Sequence, residues 1–209
     1  MREPAPTVYV VDDDPDVLKA IERLLESMGL NVATFSSPHQ FLESYERNAP
    51  GCLVLDLALP GLNGLEVQRV LEQQASVLPI VFLTGRGDIA ASVQAMKHGA
   101  ADFLTKPIDD TALIAAIHEA LARDQVLRPA HLERERIAKC LAMLTQRERQ
   151  VLELIVAGML NKQIAVELGT VEKTIKFHRA NLMRKMGVRV VADLVRLAQR
   201  AGVGSTPIP

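Results

Sequence analysis

The sequence predicts an α/β fold, a doubly wound sheet of five parallel strands, with a smaller all-α domain after it. Three observations predict it. Four short apolar runs, TVYVV, GCLVL, PIVFL and ADFL, end at Val11, Leu55, Leu83 and Leu104, and runs of that length bounded by polar residues read as strands buried on both faces. A stretch of helical periodicity follows each run, and such alternation implies a parallel sheet with right-handed crossovers. Beyond residue 122 the strand pattern stops and the chain reads as helical throughout.

Taken in order, strands near 7–11, 31–35, 51–56, 79–84 and 101–105 alternate with helices near 15–28, 38–47, 64–74, 88–98 and 109–127. Asp14 and Asp16 flank Pro15 at the first helix start, where an Asp after a strand is ordinarily a cap or turn former. Pro129 disfavours helix at the residue before it and is welcome as a first helical residue, so a kink or break is expected there. An amphipathic linker helix should follow, with Leu132, Ile137, Leu141 and Leu144 on one face. Thr145 and Glu148 form a capping-box pattern that starts a further helix. The expected division is 1–122 for the α/β domain, 123–142 for a helical linker, 143–202 for the all-α domain and 203–209 for a disordered tail, GVGSTPIP supplying its composition from Gly202.

Composition narrows the function classes. The chain has 209 residues, is 48% hydrophobic and contains no Trp, which fits a soluble, well-cored cytoplasmic protein. No apolar run approaches the length of a membrane span, and MREPAPT has no signal-peptide core, so no export is implied. Cys52 and Cys140 stand alone and read as buried thiols. The net charge of −1 hides an asymmetry: residues 1–122 hold 8 Lys and Arg against 17 Asp and Glu, a net of −9, whereas residues 143–209 hold 11 against 5, a net of +6. An acidic front joined to a basic back suggests a regulatory module attached to a nucleic-acid binder.

The acidic half concentrates its chemistry at strand ends. In a parallel sheet all carboxyl ends share one edge, so Asp12, Asp13, Asp56, Thr84 and Lys106 should converge there. A carboxylate can attack a phosphoryl group to give an acyl phosphate, and Asp56 is placed to do so. Neighbouring carboxylates would repel the incoming phosphate unless a hard cation compensates, and Mg²⁺ suits a few carboxylates, phosphate oxygens and retained waters. Asp12 and Asp13 would hold it with Asp56 and the backbone carbonyl of Ala58, whose small side chain leaves the site open to water. Lys106 offers a point charge and Thr84 a hydrogen bond to phosphoryl oxygens.

VVDDD, LDLALPGLNG, FLTGRGD and DFLTKP resemble, in order and spacing over about 120 residues, the motifs of bacterial response-regulator receiver domains. The resemblance implies a flavodoxin-like strand order 2-1-3-4-5. It also implies Asp56 as phosphoacceptor, Asp12 and Asp13 as metal-binding acids, Thr84 and Lys106 as the phosphoryl-contacting pair, Phe103 as the aromatic switch, and a cis Lys106-Pro107 bond.

In the basic half, LTQRERQVL, GMLNKQIAVELG and TVEKTIKFHRANLMRKMG resemble the four-helix LuxR/FixJ-type helix-turn-helix domain. Asn161 and Lys162 would open the scaffold helix, Gly169 would make the turn and residues 172–186 would form the recognition helix. Periodicity turns Ile175, His178, Leu182 and Met186 inward. It leaves Lys173, Lys176, Phe177, Ala180 and Arg184 facing DNA, with Thr174 beside them. The lysines suit phosphates or guanine edges, whereas Phe177 and Ala180 suit thymine methyls. The serines usual before the two helices are replaced by Leu160 and Val171, which lose roughly 1 kcal/mol of capping each unless a neighbour such as Thr170 substitutes.

Together the resemblances imply a regulator of the NarL/FixJ type rather than a turnover enzyme. It would accept a phosphoryl group from a histidine kinase, lose it by its own hydrolysis, dimerise and bind promoter DNA, with RNA polymerase a further partner. The dimer face would be helix 88–98 with strand 101–105, through Val93, Met96, Lys97 and Asp102, Lys97 of one copy meeting Asp102 of the other. Two other classes stay open: a phosphohydrolase of the haloacid dehalogenase type, which leaves Asp56 and the basic domain unexplained, and a ligand-sensing regulator, which would need an apolar cavity.

Overall fold

The structure is a computed structural model that describes residues 5–85 and 89–203, the side chains of residues 89–92 excepted. The chain divides into two compact units, Met1–Ala130 and His131–Pro209. In the first unit β1 (Thr7–Val11), β2 (Asn31–Phe35), β3 (Gly51–Asp56), β4 (Ile80–Thr84) and β5 (Asp102–Thr105) form one sheet in the order β2-β1-β3-β4-β5. Every pairing is parallel. Helices α1 (Pro15–Ser27), α2 (Pro38–Ser44), α3 (Gly64–Gln73), α4 (Ile89–Lys97) and α5 (Asp110–Ala142) complete the alternation.

Two apolar clusters flank the sheet. Val8, Val10, Cys52, Val54, Val81 and Leu83 pack with Ile21 and Leu25 of α1 and with Leu113, Ile117 and Leu121 of α5. The alternate residues Val11, Leu53, Leu55, Ile80 and Phe82 pack with Phe41 of α2 and with Val67 and Leu71 of α3. Because consecutive residues of β3 and β4 are buried on opposite faces, these strands carry unbroken apolar runs.

Two glycines fix close approaches that no other residue permits. Gly51 opens β3 at φ +154°, and a Cβ there would collide with the Thr7 carbonyl. Gly64 starts α3 directly behind Asp56, where a Cβ would sit 2.8 Å from the Asp56 carbonyl oxygen.

The second unit carries the end of α5 and four further helices: α6 (Gln146–Val156), α7 (Asn161–Glu167), α8 (Glu172–Lys185) and α9 (Val191–Arg200). Val151, Leu152, Ile155, Ile164, Ile175, Leu182, Met186 and Leu194 form its core with Ile137 and Leu144. Thr145 and Glu148 make the expected capping box, and Gly169 turns between α7 and α8 at φ +62°.

Several expectations need correction. Helix α5 does not break at Pro129 but runs unbroken from Asp110 to Ala142. In the turn before the proline Asp124 accepts the Gly51 N–H of β3 and Arg128 donates to Asp124, and these bonds override the local preference. Leu132 is exposed rather than aligned with the buried stripe. It lies five residues before Ile137, about 140° away around a helix of 3.6 residues per turn, and Cys140, itself only half-buried, takes part in the packing instead. Thr170 does not cap α8, whose N-cap position is Val171 and carries no side-chain cap; the Thr170 N–H instead closes α7 on the Ala165 carbonyl. Leu160 also caps nothing, but the Gln163 carboxamide accepts its N–H at 2.7 Å. Val203, expected in the tail, lies in the turn after α9, its N–H donating to the Ala198 carbonyl and its side chain packing against the core. The rest of the expected tail, 204–209, lies outside the described residues.

Candidate functional site

Each acidic-half residue owes its place to a strand end. Asp12 follows β1, and its backbone N–H continues the ladder to the Phe35 carbonyl of β2. Asp56 is the last residue of β3 and Thr84 the last of β4, while the Lys106 N–H donates to the Thr84 carbonyl at 2.6 Å. Parallel register therefore brings residues from four segments to one edge. Asp14 caps α1, accepting from the N–H groups of Asp16 and Val17, which is a structural task.

The crevice is organised around one ammonium group. Lys106 Nζ lies 2.7 Å from Asp12 Oδ2 and 3.3 Å from Asp56 Oδ2. Asp12 is fully buried, and its other oxygen accepts the Asp14 N–H at 3.0 Å. Burial pushes the Asp56 carboxyl above its ordinary range; Lys106 opposes that shift and Asp12 adds to it. Burial also disfavours the Lys106 charge, but its bonds to Asp12 and Asp56 prevail and hold the ammonium above its usual range.

The donor set fits a hard divalent cation. Carboxylate oxygens of Asp12, Asp13 and Asp56 come within 4.8 Å of one another, and Asp13 is exposed where Asp12 and Asp56 are buried. Asp56 Oδ1 is buried without a hydrogen-bond partner, a costly state for a carboxylate oxygen that a cation would relieve. Ala58 stands exposed in the loop beyond Asp56.

The other expected residues are placed as follows. Thr84 is buried, and its hydroxyl donates to the Gly85 carbonyl at 3.1 Å, so reaching a phosphoryl group on Asp56 requires that bond to open. Phe103 is half-buried opposite Phe82 in the β4–β5 register. Lys106-Pro107 is cis. Val93 and Met96 of α4 are 48% and 47% exposed and Lys97 is exposed beside them. Asp102 is half-buried and accepts the Phe103 N–H at 2.7 Å.

In the second unit, Ile175, Leu182 and Met186 are buried and His178 is half-buried, so α8 presents Lys173, Lys176, Phe177, Ala180 and Arg184 outward. Phe177 is 64% exposed, a large apolar surface for water to cover. Lys176 pairs with Glu172 at 3.0 Å, and Arg184 donates to Asn181 at 2.9 Å. Thr174 is half-buried and Lys162 exposed. Asn161 accepts from Arg179 at 2.9 Å, so its side chain joins α7 to α8 as well as standing at the start of α7. That Arg179 role has no sequence signal beyond its place between the buried and exposed faces. Nor does Gln68, whose buried amide on α3 donates to the Ala95 and His98 carbonyls at the end of α4.

Comparison with known proteins places both halves. Residues 8–118 match the response regulator receiver domain and residues 142–198 match the bacterial regulatory proteins of the luxR family. The response regulator protein TodT of Pseudomonas putida is 43% identical over 200 residues, covering 96% of this chain and 88% of that protein. The transcriptional regulatory protein FixJ of Azorhizobium caulinodans is 43% identical over 196 residues, covering 94% and 93%. Among solved structures, the response regulator StyR matches with a TM-score of 0.76 at 44% identity, over 94% of this chain and all of that one. Full-length FixJ from B. japonicum matches with a TM-score of 0.55 at 40% identity, over 94% and 97%.

The haloacid dehalogenase alternative finds no support in these matches. It would make the first-strand acid the nucleophile, yet Asp12 is buried and both its oxygens are engaged. The crevice, lined by three carboxylates and an ammonium, is equally unlike an apolar ligand cavity. Among the described residues no helix is long and apolar enough to cross a membrane.

Proposed function

Because this chain belongs to the NarL/FixJ family of response regulators, and so is a phosphorylation-dependent regulator of transcription, we propose that Asp56 is its phosphoacceptor and α8 its DNA-reading helix. The observation that carries the first assignment is the Lys106 ammonium shared between Asp12 and Asp56 beside an unpartnered Asp56 oxygen. Asp56 attacks the phosphoryl group presented by a histidine kinase or a small acyl phosphate and becomes an acyl phosphate itself, as the P–N bond to the kinase imidazole or the P–O bond to the donor carboxylate breaks and that group departs. Lys106 holds the Asp56 carboxylate ionised and then turns to a phosphoryl oxygen, and Thr84 leaves Gly85 to donate to another. Asp12, Asp13, Asp56 and the Ala58 carbonyl would hold Mg²⁺, which would supply positive charge against the carboxylates and the phosphoryl oxygens. Removal of Thr84 from Gly85 frees space over β4 and lets Phe103 turn inward, which reshapes the α4–β5 face. The chain transfers its phosphoryl group to water alone, so it is a switch rather than a turnover enzyme.

Residues 123–142 serve as connector between the receiver, 1–122, and the DNA-binding domain, 143–202. Asn161, Lys162 and Arg184 position the protein on phosphates, Lys173 and Lys176 reach phosphates or guanine edges, and Thr174, Phe177 and Ala180 meet base edges. The protein acts in the cytoplasm, where its kinase, its promoter DNA and RNA polymerase are found.

Two measurements test this reading. From a random duplex library the phosphorylated chain should select one sequence. On that duplex Lys176→Ala should weaken binding and either flatten the salt slope by about one unit or relax base preference. Phe177→Ala should lower preference for thymine with the salt slope unchanged. Unchanged affinity and preference in both variants would turn α8 away from DNA.

Phosphorylation should also drive dimerisation, since two half-sites about one helical turn apart bind far better than one. The face is Val93, Met96, Lys97 and Asp102. Lys97→Asp should abolish phosphorylation-dependent dimers in sedimentation, and adding Asp102→Lys should restore part of them. A single variant that dimerises like wild type would exclude this face.

A further inference from the structure

Helix α5 carries a buried ion pair at a place where the backbone is under local conflict. Asp124 and Arg128, one turn apart, are 2% and 7% exposed. The Asp124 carboxylate accepts from both Arg128 Nε, at 2.9 Å, and Arg128 Nη2, and its Oδ2 also accepts the Gly51 N–H at 3.1 Å. Next comes Pro129, inside the helix. A proline there lacks the N–H that would bond the Gln125 carbonyl and crowds that carbonyl with its ring. It also drives the residue before it away from helical geometry, and that residue is Arg128.

A buried ion pair gives little net stability compared with apolar side chains of similar size. This one is worth its burial for what it holds. The guanidinium fork locks Arg128 one turn above Asp124, and Asp124 is itself anchored on the first amide of β3. Its charge is felt locally, for Cys52, next to Gly51, is pushed up to about 12 by burial and by Asp124. Arg128 Nη1 remains buried without a partner, so the pair is not an optimised structural bridge.

We propose that Asp124 and Arg128 form a latch on a latent hinge at Pro129. Closed, it keeps the pre-proline residue helical and α5 a single helix. Open, α5 divides into two helices that swivel at the proline. The connector between the two units is thereby a two-state element controlled from the amino end of β3, at the opposite edge of the sheet from Asp56.

The test uses the full chain and amide hydrogen exchange. Asp124→Asn with Arg128→Met removes both charges and keeps an acceptor for the Gly51 N–H. Exchange at residues 130–133, whose helical acceptors lie at 126–129, should accelerate at least tenfold, and adding Pro129→Ala should return it to the wild-type rate. Pro129→Ala alone should change it little. Unaltered exchange in the double variant would overturn the proposal. So would failure of Pro129→Ala to restore protection. Acceleration spread equally over the β1 and β3 amides would overturn it too, because the pair would then support the domain at large.

Discussion

Asp56→Asn is expected to abolish phosphoryl uptake from acetyl phosphate in the presence of Mg²⁺, seen as loss of the single added phosphoryl mass. The substitution keeps the shape of the side chain and removes the nucleophile. Asp12 cannot replace it, because Asp12 is buried and bonded to Lys106 and the Asp14 N–H. The pH dependence in the wild-type chain separates attack from binding. A carboxylate attacks only when ionised, so labelling should fall as pH drops through the Asp56 pKa, which burial places above the ordinary range although Lys106 opposes the shift. Lys106→Met removes that opposing charge and should move the inflection to higher pH, lowering the ionised fraction below the inflection about tenfold for each unit moved. An Asp56→Asn chain that still gains one phosphoryl group would reassign the site, and an inflection unmoved by Lys106→Met would remove Lys106 from its role beside the nucleophile.

The carboxyl-edge crevice was legible because two independent signals coincide. Leu53, Leu55, Val81 and Leu83 are buried on both faces of the sheet, so their runs announce strands without amphipathic ambiguity, and parallel connection leaves their polar endings no place but one edge. The outward face of α8 was legible for a similar reason, since Ile175, Leu182 and Met186 repeat with helical spacing. What escaped depends on tertiary bonds. Pro129 reads locally as a break, and only the Gly51 amide, over seventy residues away, reveals why the turn before it stays helical. Asp124 and Arg128 have an ordinary i, i+4 spacing, and no local pattern encodes their burial. Asn161 reads as a helix opener, and its bond to Arg179 follows from the crossing of α7 and α8, which no local pattern encodes.

Glu148→Ala is expected to destabilise the helix-turn-helix unit by about 2–3 kcal/mol. Glu148 is 4% exposed, and its Oε2 accepts from the Thr145 N–H at 2.8 Å, the Thr145 hydroxyl at 3.0 Å and Lys185 Nζ at 2.7 Å. Lys185 ends α8 and also donates to the Met143 carbonyl. One carboxylate thus ties the start of α6 to the end of the recognition helix. Its loss leaves the Lys185 ammonium, 29% exposed, bonded to a carbonyl alone, and that partial exposure keeps the cost below the upper end for a fully buried pair. Burial alone would raise the Glu148 carboxyl, but the Lys185 and Thr145 bonds outweigh it and hold the pKa below its ordinary value. A group with a depressed folded pKa contributes stability that is present above its unfolded pKa, about 4.3, and lost as pH falls through the folded value. The difference between wild type and Glu148→Ala should therefore be full at neutral pH and narrow in acid below the ordinary carboxylate range, while Glu148→Gln, which keeps an acceptor for the Thr145 N–H, should fall between them. The opening free energies of the slowest-exchanging α6 and α8 amides measure it. A gap that stays constant through the acid range would show that Glu148 acts by packing and not by its charge, and a Glu148→Ala unit as stable as wild type would remove the tie between α6 and α8 altogether.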